Sequence, residues 1–490
     1  MIQRLKKNDG TALLVAIMVM LMLTLIFIAA INTSVMDIDI AKNQKERTLA
    51  FYIAEGGLEL AMRVLKDNIN QLDNDTLESL VNATTSLGDG SFIVDVSGTS
   101  PYKTLTSNGF SQDGQAIIEV VVKRRRNPLS IWDNIIFGGT GQAGGIVNGN
   151  VSVHGSVHIL GDTGTANAIA FDLAGAAQQY NNYSGMNGTL SSRVPPLDTT
   201  TFNGEVVSTL DAELRVRHGE VDISGNARIG SPDVPGGAPR VKETIDGCYV
   251  TDGYGGNQGT NSVYSDNGTT DGYDLGDELS LPDLSDPYTD PNTGITYPTY
   301  MNYLQSNALV ISGDLTLKPG QTLAAVSNGF GSIYMDASGN LQISGIVYVT
   351  GNIDIQSGSG GMKHTPVTFD GRGTMVSQQD ISISTHVLSQ GTFPTNDVLG
   401  FIAADDVEIG CGPGDAQLNI MGAFFAQDQV INQKQNQLVG AMVSNYFQIN
   451  NVPDLFHAPS IVDNLPPGMP GGGVVNIYVY RIVKGTWREL

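Results

Sequence analysis

The run from Thr11 to Ile31 carries no charge and nothing more polar than Thr24, and no other feature constrains the chain as much. Its 21 residues, at about 1.5 Å each in a helix, cover a hydrocarbon core of roughly 30 Å. A cleavable secretory signal has an apolar core of about 7 to 15 residues and an Ala-x-Ala-like cut site. This run is longer, and "FIAAINTS" at 27–34 offers no clean site of that kind. Arg4, Lys6 and Lys7 precede it and Asp37 and Asp39 follow it. The positive-inside bias therefore keeps the N-terminus cytoplasmic and places roughly 450 residues outside.

The rest of the chain suits an exterior location. Against 26 Lys+Arg stand 49 Asp+Glu, a net charge of -23, which repels phosphate and argues against a nucleic-acid partner. Cys248 and Cys411 could form one disulfide in an oxidising exterior, although sequence separation does not decide whether they meet. There is no CxxC to hold a thiol-ligated zinc, and no cofactor is implied. A chain of 490 residues points to two or three domains.

After Val35 the chain reads on as helix to about residue 68, with no Pro. Leu49, Ile53, Gly56, Leu60 and Val64 recur at steps of three and four and form an apolar stripe. Gly56 and Gly57 each cost such a helix up to about 1 kcal/mol relative to Ala; they either admit a second backbone or mark a kink. Three alternating segments follow, at 88–98, 102–110 and 114–126, separated by Gly, Asp and Asn, which reads as a small antiparallel meander covering the stripe. "KRRRNP" at 123–128 closes this module, either as a solvated strand end or as a patch for an acidic partner or lipid headgroups.

From about residue 127 a short unit recurs: Gly, polar, aliphatic, polar, aliphatic. "GNVSV" at 149, "GEVDI" at 219, "GDLTL" at 313, "GNLQI" at 339 and "GNIDI" at 351 fit it, with looser copies "QDISI" at 379, "DDVEI" at 405 and "AQLNI" at 416. Each puts two aliphatic side chains on one face of a short strand after a tight corner. Stacked coils of a β-solenoid bury such ladders, with a β-sandwich as the competing fold. Residues 231–300, rich in Pro, Gly, Asp and Tyr, read as long surface loops or an ordered lid. A Pro/Gly hinge near 471 then leads into a C-terminal strand that must pair with the solenoid or the first sheet. The expected domains are thus 1–10, 11–126, 127–470 and 471–490.

Catalytic signatures are scarce. No Gly-x-Ser-x-Gly elbow, HExxH or P-loop occurs, and no enzymatic role is expected. His154 and His158 form a weak candidate metal pair, with solvent-facing solenoid histidines as the plainer reading. Asp271, Asp274, Asp277 and Glu278, within the acidic stretch from Asp266 to Asp290, could offer oxygen ligands to calcium, but not at the DxDxDG spacing. A solenoid depolymerase would need clustered carboxylates in one groove, for which Asp405-Asp406 is the nearest candidate.

A basic stub, Gly10, an uncharged helix, a half-exposed helix and a small sheet together resemble the type IV pilins. The likeness narrows at Ala41 to Asn43, Ala50-Phe51 and Ala54-Glu55-Gly56-Gly57, which resemble the helix motif of PilX-type pilus assembly proteins. "VHGSVHILG" and the closing "TWREL" also look like pieces of long proteins in this group. The resemblance implies an α+β pilin-like module followed by the β domain. It also implies cleavage between Gly10 and Thr11 by a prepilin peptidase, methylation of the new terminus and residence in the inner membrane before assembly. Leu13, Leu14, Val15, Ile17, Leu21, Leu25, Ile28 and Ile31 would then pack against other pilins. Major pilins carry Glu at the fifth position after the cut, where this chain has Val15. That departure suggests a minor subunit at or near a filament tip, displaying its β domain for assembly priming or toward a surface or adhesin partner. A type II secretion pseudopilin shares the signature, and a permanently anchored solenoid is the remaining alternative.

Overall fold

A computed structural model describes residues 9–67, 74–81, 84–98, 102–141, 147–162, 164, 168–202, 205–231, 244–256, 262–265, 279–412, 416–472, 475–483 and 486–490. The chain divides into two compact units, one of residues 1–127 with 477–490 and one of 128–476. The second is thus a 349-residue insertion (476 − 128 + 1) in the first.

The first unit is built on helix α1, Asp9–Asp67, about 88 Å long by rise per residue. A short helix α2, Asn74–Val81, follows, then an antiparallel meander of β1 (Thr85–Leu87), β2 (Gly90–Ser97), β3 (Tyr102–Ser111) and β4 (Gly114–Leu129). The strand β4 runs through Pro128, beyond the expected end of the module. The C-terminal strands Val475–Ile482 and Arg488–Glu489 pair with β4, which decides for the first sheet over the solenoid. Phe92, Val94, Val96, Leu105, Ile118, Val120 and Val122 project from one face of this sheet onto Ile53, Ala54, Leu58, Ala61 and Leu65 of α1.

The buried stripe of α1 differs from the expected one. Ala50, Ile53, Ala54, Leu58, Ala61 and Leu65 are buried, while Leu49 is exposed and Leu60 and Val64 are only half-buried. The stripe is set by small residues because the sheet approaches the helix backbone itself. A Cβ at Gly109 of β3 would lie 2.2 Å from the Ala50 carbonyl oxygen and 2.5 Å from the Ala54 nitrogen. One at Gly114 of β4 would lie 2.5 Å from the Glu46 carbonyl, and one at Gly57 only 2.3 Å from Ser107 Oγ. Gly57 therefore serves close approach, the first of the two readings of the glycine pair.

The second unit is a parallel β-solenoid of three-stranded coils, which excludes a sandwich. The chain enters at Ile136–Gly138, Val147–Gly149 and Ser152–His154, and winds through 157–180 and 213–229 to 247–256. It then returns to the opposite end. From Leu309–Ile311 and Leu315–Leu317 it winds through 345–370, 372–389, 398–420 and 423–440 to 442–457. The last coil pairs with the first: Met442 with Ile136, Ile449 with Val147, Leu455 with Val153. Entry and exit therefore meet in the middle of the stack, where the buried Trp132 donates its Nε1–H to the Pro470 carbonyl at 2.8 Å.

In every quoted repeat both aliphatic side chains are buried, from Val151 and Val153 to Leu418 and Ile420. Part of 231–300 is not loop. Gly247–Val250 and Gly253–Gly256 are solenoid strands in which Cys248 and Val250 take the inward positions, so Cys stands where the pattern has an aliphatic. Residues 279–284 and 458–469 are held on one face of the coils. The Thr374 hydroxyl donates to the Pro467 carbonyl and the Leu284 N–H to Gln427 Oε1. Outward residues of that face, such as Val376, Ile402 and Phe425, are consequently buried and apolar, and the alternation seen elsewhere is lost.

Candidate assembly interface

The two ends of α1 have opposite surroundings. Gly10 and Thr11 lie in its first turn, and residues 11–45 are exposed along the whole circumference. Leu13, Leu14, Val15, Ile17, Leu21, Leu25, Ile28 and Ile31 all present their side chains to solvent, Leu25 at 62% exposure. The helix is long and apolar enough to cross a membrane. Two of its hydroxyls are satisfied within it: Thr24 Oγ1 donates to the carbonyls of Met20 and Leu21 at 2.8 and 2.9 Å, and Thr33 Oγ1 to Ala29 at 2.9 Å. Such back-bonding lets a polar side chain sit in lipid or among apolar helices without an unmet donor.

From Glu46 onward the same helix is anchored. Glu46 is buried, and its carboxylate accepts the Ser111 hydroxyl of β3 at 2.8 Å. Ala50 and Ala54 lie under β3, Glu55 and Gly56 at the margin, and Asn43 on the exposed side. Phe51 meets Trp487 edge to face at 5.7 Å. Around that contact, Arg47 pairs with Glu489 at 2.8 Å and the Leu490 N–H donates to the Ile117 carbonyl at 2.9 Å. Closing "TWREL" is therefore a clasp over α1 and β4.

The solenoid corners explain the second residue of the repeat. Asn352 N–H donates to Asp314 Oδ1 at 2.9 Å, Asp380 N–H to Asn352 Oδ1 at 3.1 Å, and Asp406 N–H to Asp380 Oδ1 at 3.1 Å. Gln429 Nε2 ends this ladder on Asp406 Oδ2 at 2.9 Å. It brings Asp380 beside Asp405 and Asp406, one oxygen from each lying within 4.8 Å of the others. Burial, then the charges of Asp405, Asp428 and Asp380, raise the Asp406 carboxyl against the bond from Gln429. Burial and Asp380 likewise raise Glu408.

The two histidines are neither paired nor solvent-facing. His154 and His158 lie on strands separated by a corner at Gly155, and both are buried. His154 is stacked between Tyr180 and Phe456 with Nδ1 2.6 Å from the Asn182 carbonyl, and His158 packs on Phe137. Burial lowers His154 to about 4, and lowers His158, helped by Arg215, to about 3. His457, which sequence reasoning passed over, is also buried and lowered to about 4.

Cys248 and Cys411 are not joined. The ladder Cys248, Leu214, Val157, Ile136, Met442, Phe424, Phe401 puts six strand steps between their coils, about 29 Å at ~4.8 Å per step. A disulfide needs Cα atoms within about 7 Å. The calcium candidates Asp271, Asp274, Asp277 and Glu278 lie outside the described residues, as does Asp266. Asp283 and Asp290 cap their own turns, accepting from Ser285 and Thr293 hydroxyls at 2.7 Å each. Of "KRRRNP", Lys123 Nζ sits 5.7 Å from the Tyr102 ring centroid.

An exposed apolar half-helix continuous with a buried half under a small sheet is the architecture of a pilin. Residues 9–59 match the PilX N-terminal family model. This segment includes the whole of the Ala50 to Gly57 motif. By structure, the competence-associated pilin ComZ from Thermus thermophilus matches at a TM-score of 0.51 and 17% identity, over 91% of this chain and 97% of that one. The likeness extends through the solenoid and is one of fold. No curated protein matches the sequence. The PilX N-terminal helix and the fold together make this a type IV pilin-like protein with an N-terminal apolar helix suited to membrane anchoring.

Proposed function

We propose that the chain is a minor pilin, cut between Gly10 and Thr11 by a prepilin peptidase, held in the inner membrane by α1 and then built into a filament at or near its tip. The observation that carries this is the exposed apolar half of α1, rigidly continuous with a half clasped by its own sheet. A free apolar helix of this length is costly in water and has to be covered by lipid or by other pilin helices. That the protein of like fold is named a competence-associated pilin supports the same reading.

Two features favour the tip. Val15 stands where a Glu would pair with a neighbouring amino terminus, and an unpaired ammonium inside an apolar bundle is expensive. A 349-residue insertion is also a large load for a repeating subunit. There the solenoid is displayed outward, for assembly priming or adhesion. Immunogold labelling of filaments tests this: label confined to filament ends is expected, and frequent label along the shaft overturns the tip assignment. Val15→Glu should move label into the shaft.

A further inference from the structure

An apolar patch stays open on the half of α1 that the sheet grips. Leu49 and Tyr52 are one turn apart on its exposed side, with Leu87 of β1 on one flank and Trp487 and Leu490 of the clasp on the other; all five are 40 to 62% exposed. Leu87 lies against the helix at Gly56, where a Cβ would meet its Cδ2 at 2.7 Å. Phe51 joins the two flanks, meeting Tyr52 at 5.8 Å and Trp487 at 5.7 Å, both edge to face. On the clasp side the bordering charges are paired, Arg47 with Glu489 at 2.8 Å and Arg488 with Glu119 at 2.9 Å. Exposed apolar residues scattered singly need no explanation, but Trp, Tyr and Arg gathered in one place are the residues that carry most of the binding energy in protein interfaces.

Lipid does not reach this patch. Tyr52 lies about 32 Å along the helix beyond Ile31, the end of the apolar run, whereas the headgroup layer is about 5 to 8 Å thick. Asp37 and Asp39 stand between the two. The cover is therefore protein, on a helix that continues without a break from the stretch suited to packing with other pilins. A pilin parallel to this chain, level with it or lower, sets its own sheet-covered half opposite residues 49–56, not its bare apolar stretch. We infer that the patch seats the sheet module of a neighbouring pilin, a second assembly contact outside the apolar helix bundle. This rests on the assembly reading given above.

Photo-crosslinking of the full chain in filament-forming cells tests it, with p-benzoylphenylalanine at Tyr52 or at Leu25 and the linked peptides identified by tandem mass spectrometry. Leu25 is expected to link to the apolar helix of another pilin, and Tyr52 to the sheet-covered part of one. With Leu25 linked to a pilin, a Tyr52 probe that finds no pilin, or only the bare helix of one, overturns this inference and leaves the assembly reading standing. No pilin linked from either position overturns both. Tyr52→Asp puts a charge into the patch and should lower the number of labelled filament ends about tenfold, with hydrogen exchange in β2, β3 and β4 unchanged. Labelling as frequent as in the wild type overturns the inference.

Discussion

In the first unit the sheet lies directly on a helix backbone, with Gly109 and Gly114 over Ala50 and Glu46; in the solenoid the sheets face one another across ladders of Val, Ile, Leu and Phe side chains. The first arrangement depends on the absence of atoms, the second on their presence. One is broken by adding a methyl group, the other by removing several or by charging a group within it. The difference fits the two tasks proposed above, assembly for the helix and display for the solenoid. A helix that must be gripped and still leave half its length free is held by close backbone contact over a few turns, whereas a large displayed body gains stability by repeating one coil.

The largest expected effect separates the units by pH. All six histidines of the chain fall in 128–476. His154, His158 and His457 stay neutral in the fold, at about 4, 3 and 4, while the unfolded chain takes up protons below about 6.5. The unfolded state therefore binds more protons, and solenoid stability falls from about pH 6.5 toward 4, on the order of a few kcal/mol for each histidine. The raised carboxyls of Asp406 and Glu408 act oppositely at the acid end, since their folded forms take protons first. Hydrogen exchange followed by mass spectrometry, resolved by peptide, should show this loss in the coils and no matching histidine-linked loss in the first unit.

Next in size, Gly109→Val drives a side chain into the Ala50 and Ala54 backbone and should destabilise the first unit by about 3 kcal/mol, leaving exchange in the solenoid unchanged. Equal losses in both units would show that they fold as one. Trp487→Ala removes the edge-to-face contact with Phe51 and should cost about 1 kcal/mol, read as faster exchange in β4 and the last turns of the clasp. Smallest of all, Asp406→Asn relieves repulsion from Asp405, Asp428 and Asp380 while keeping an acceptor for Gln429 Nε2. A gain of about 0.3 kcal/mol is expected in thermal melts at neutral pH, discounted for its partial exposure.

Much of this architecture was legible in the residues. The repeats announce a solenoid because each carries its own inward pair, a local property that short segments can show. The meander at 88–126 was legible for the same reason. The stripe of α1 was not, since Ala50, Ala54 and Ala61 carry little apolar weight and the larger Leu49, Leu60 and Val64 drew the reading to the wrong side. Nor could spacing reveal that Met442 would stack on Ile136, because the coils are interchangeable in pattern and the order of stacking is written in no single one. The histidines misled because their strands alternate correctly; the rings of Tyr180, Phe456 and Phe137 that cover them come from other coils or from later in the chain. The corner ladder had a visible signal, the recurring Asp or Asn after Gly, but its partners lie one coil away, at separations such as Asp314 to Asn352.

The account turns on α1 serving first as an export address and then as an assembly helix. Intact-mass measurement and N-terminal sequencing of the full chain, expressed with and without a prepilin peptidase, test this most directly. With the peptidase, loss of residues 1–10 and a methylated Thr11 are expected, and without it Met1 is retained. Retention of Met1 in the presence of an active peptidase that processes a control pilin would contradict the assembly role and leave α1 as a permanent anchor.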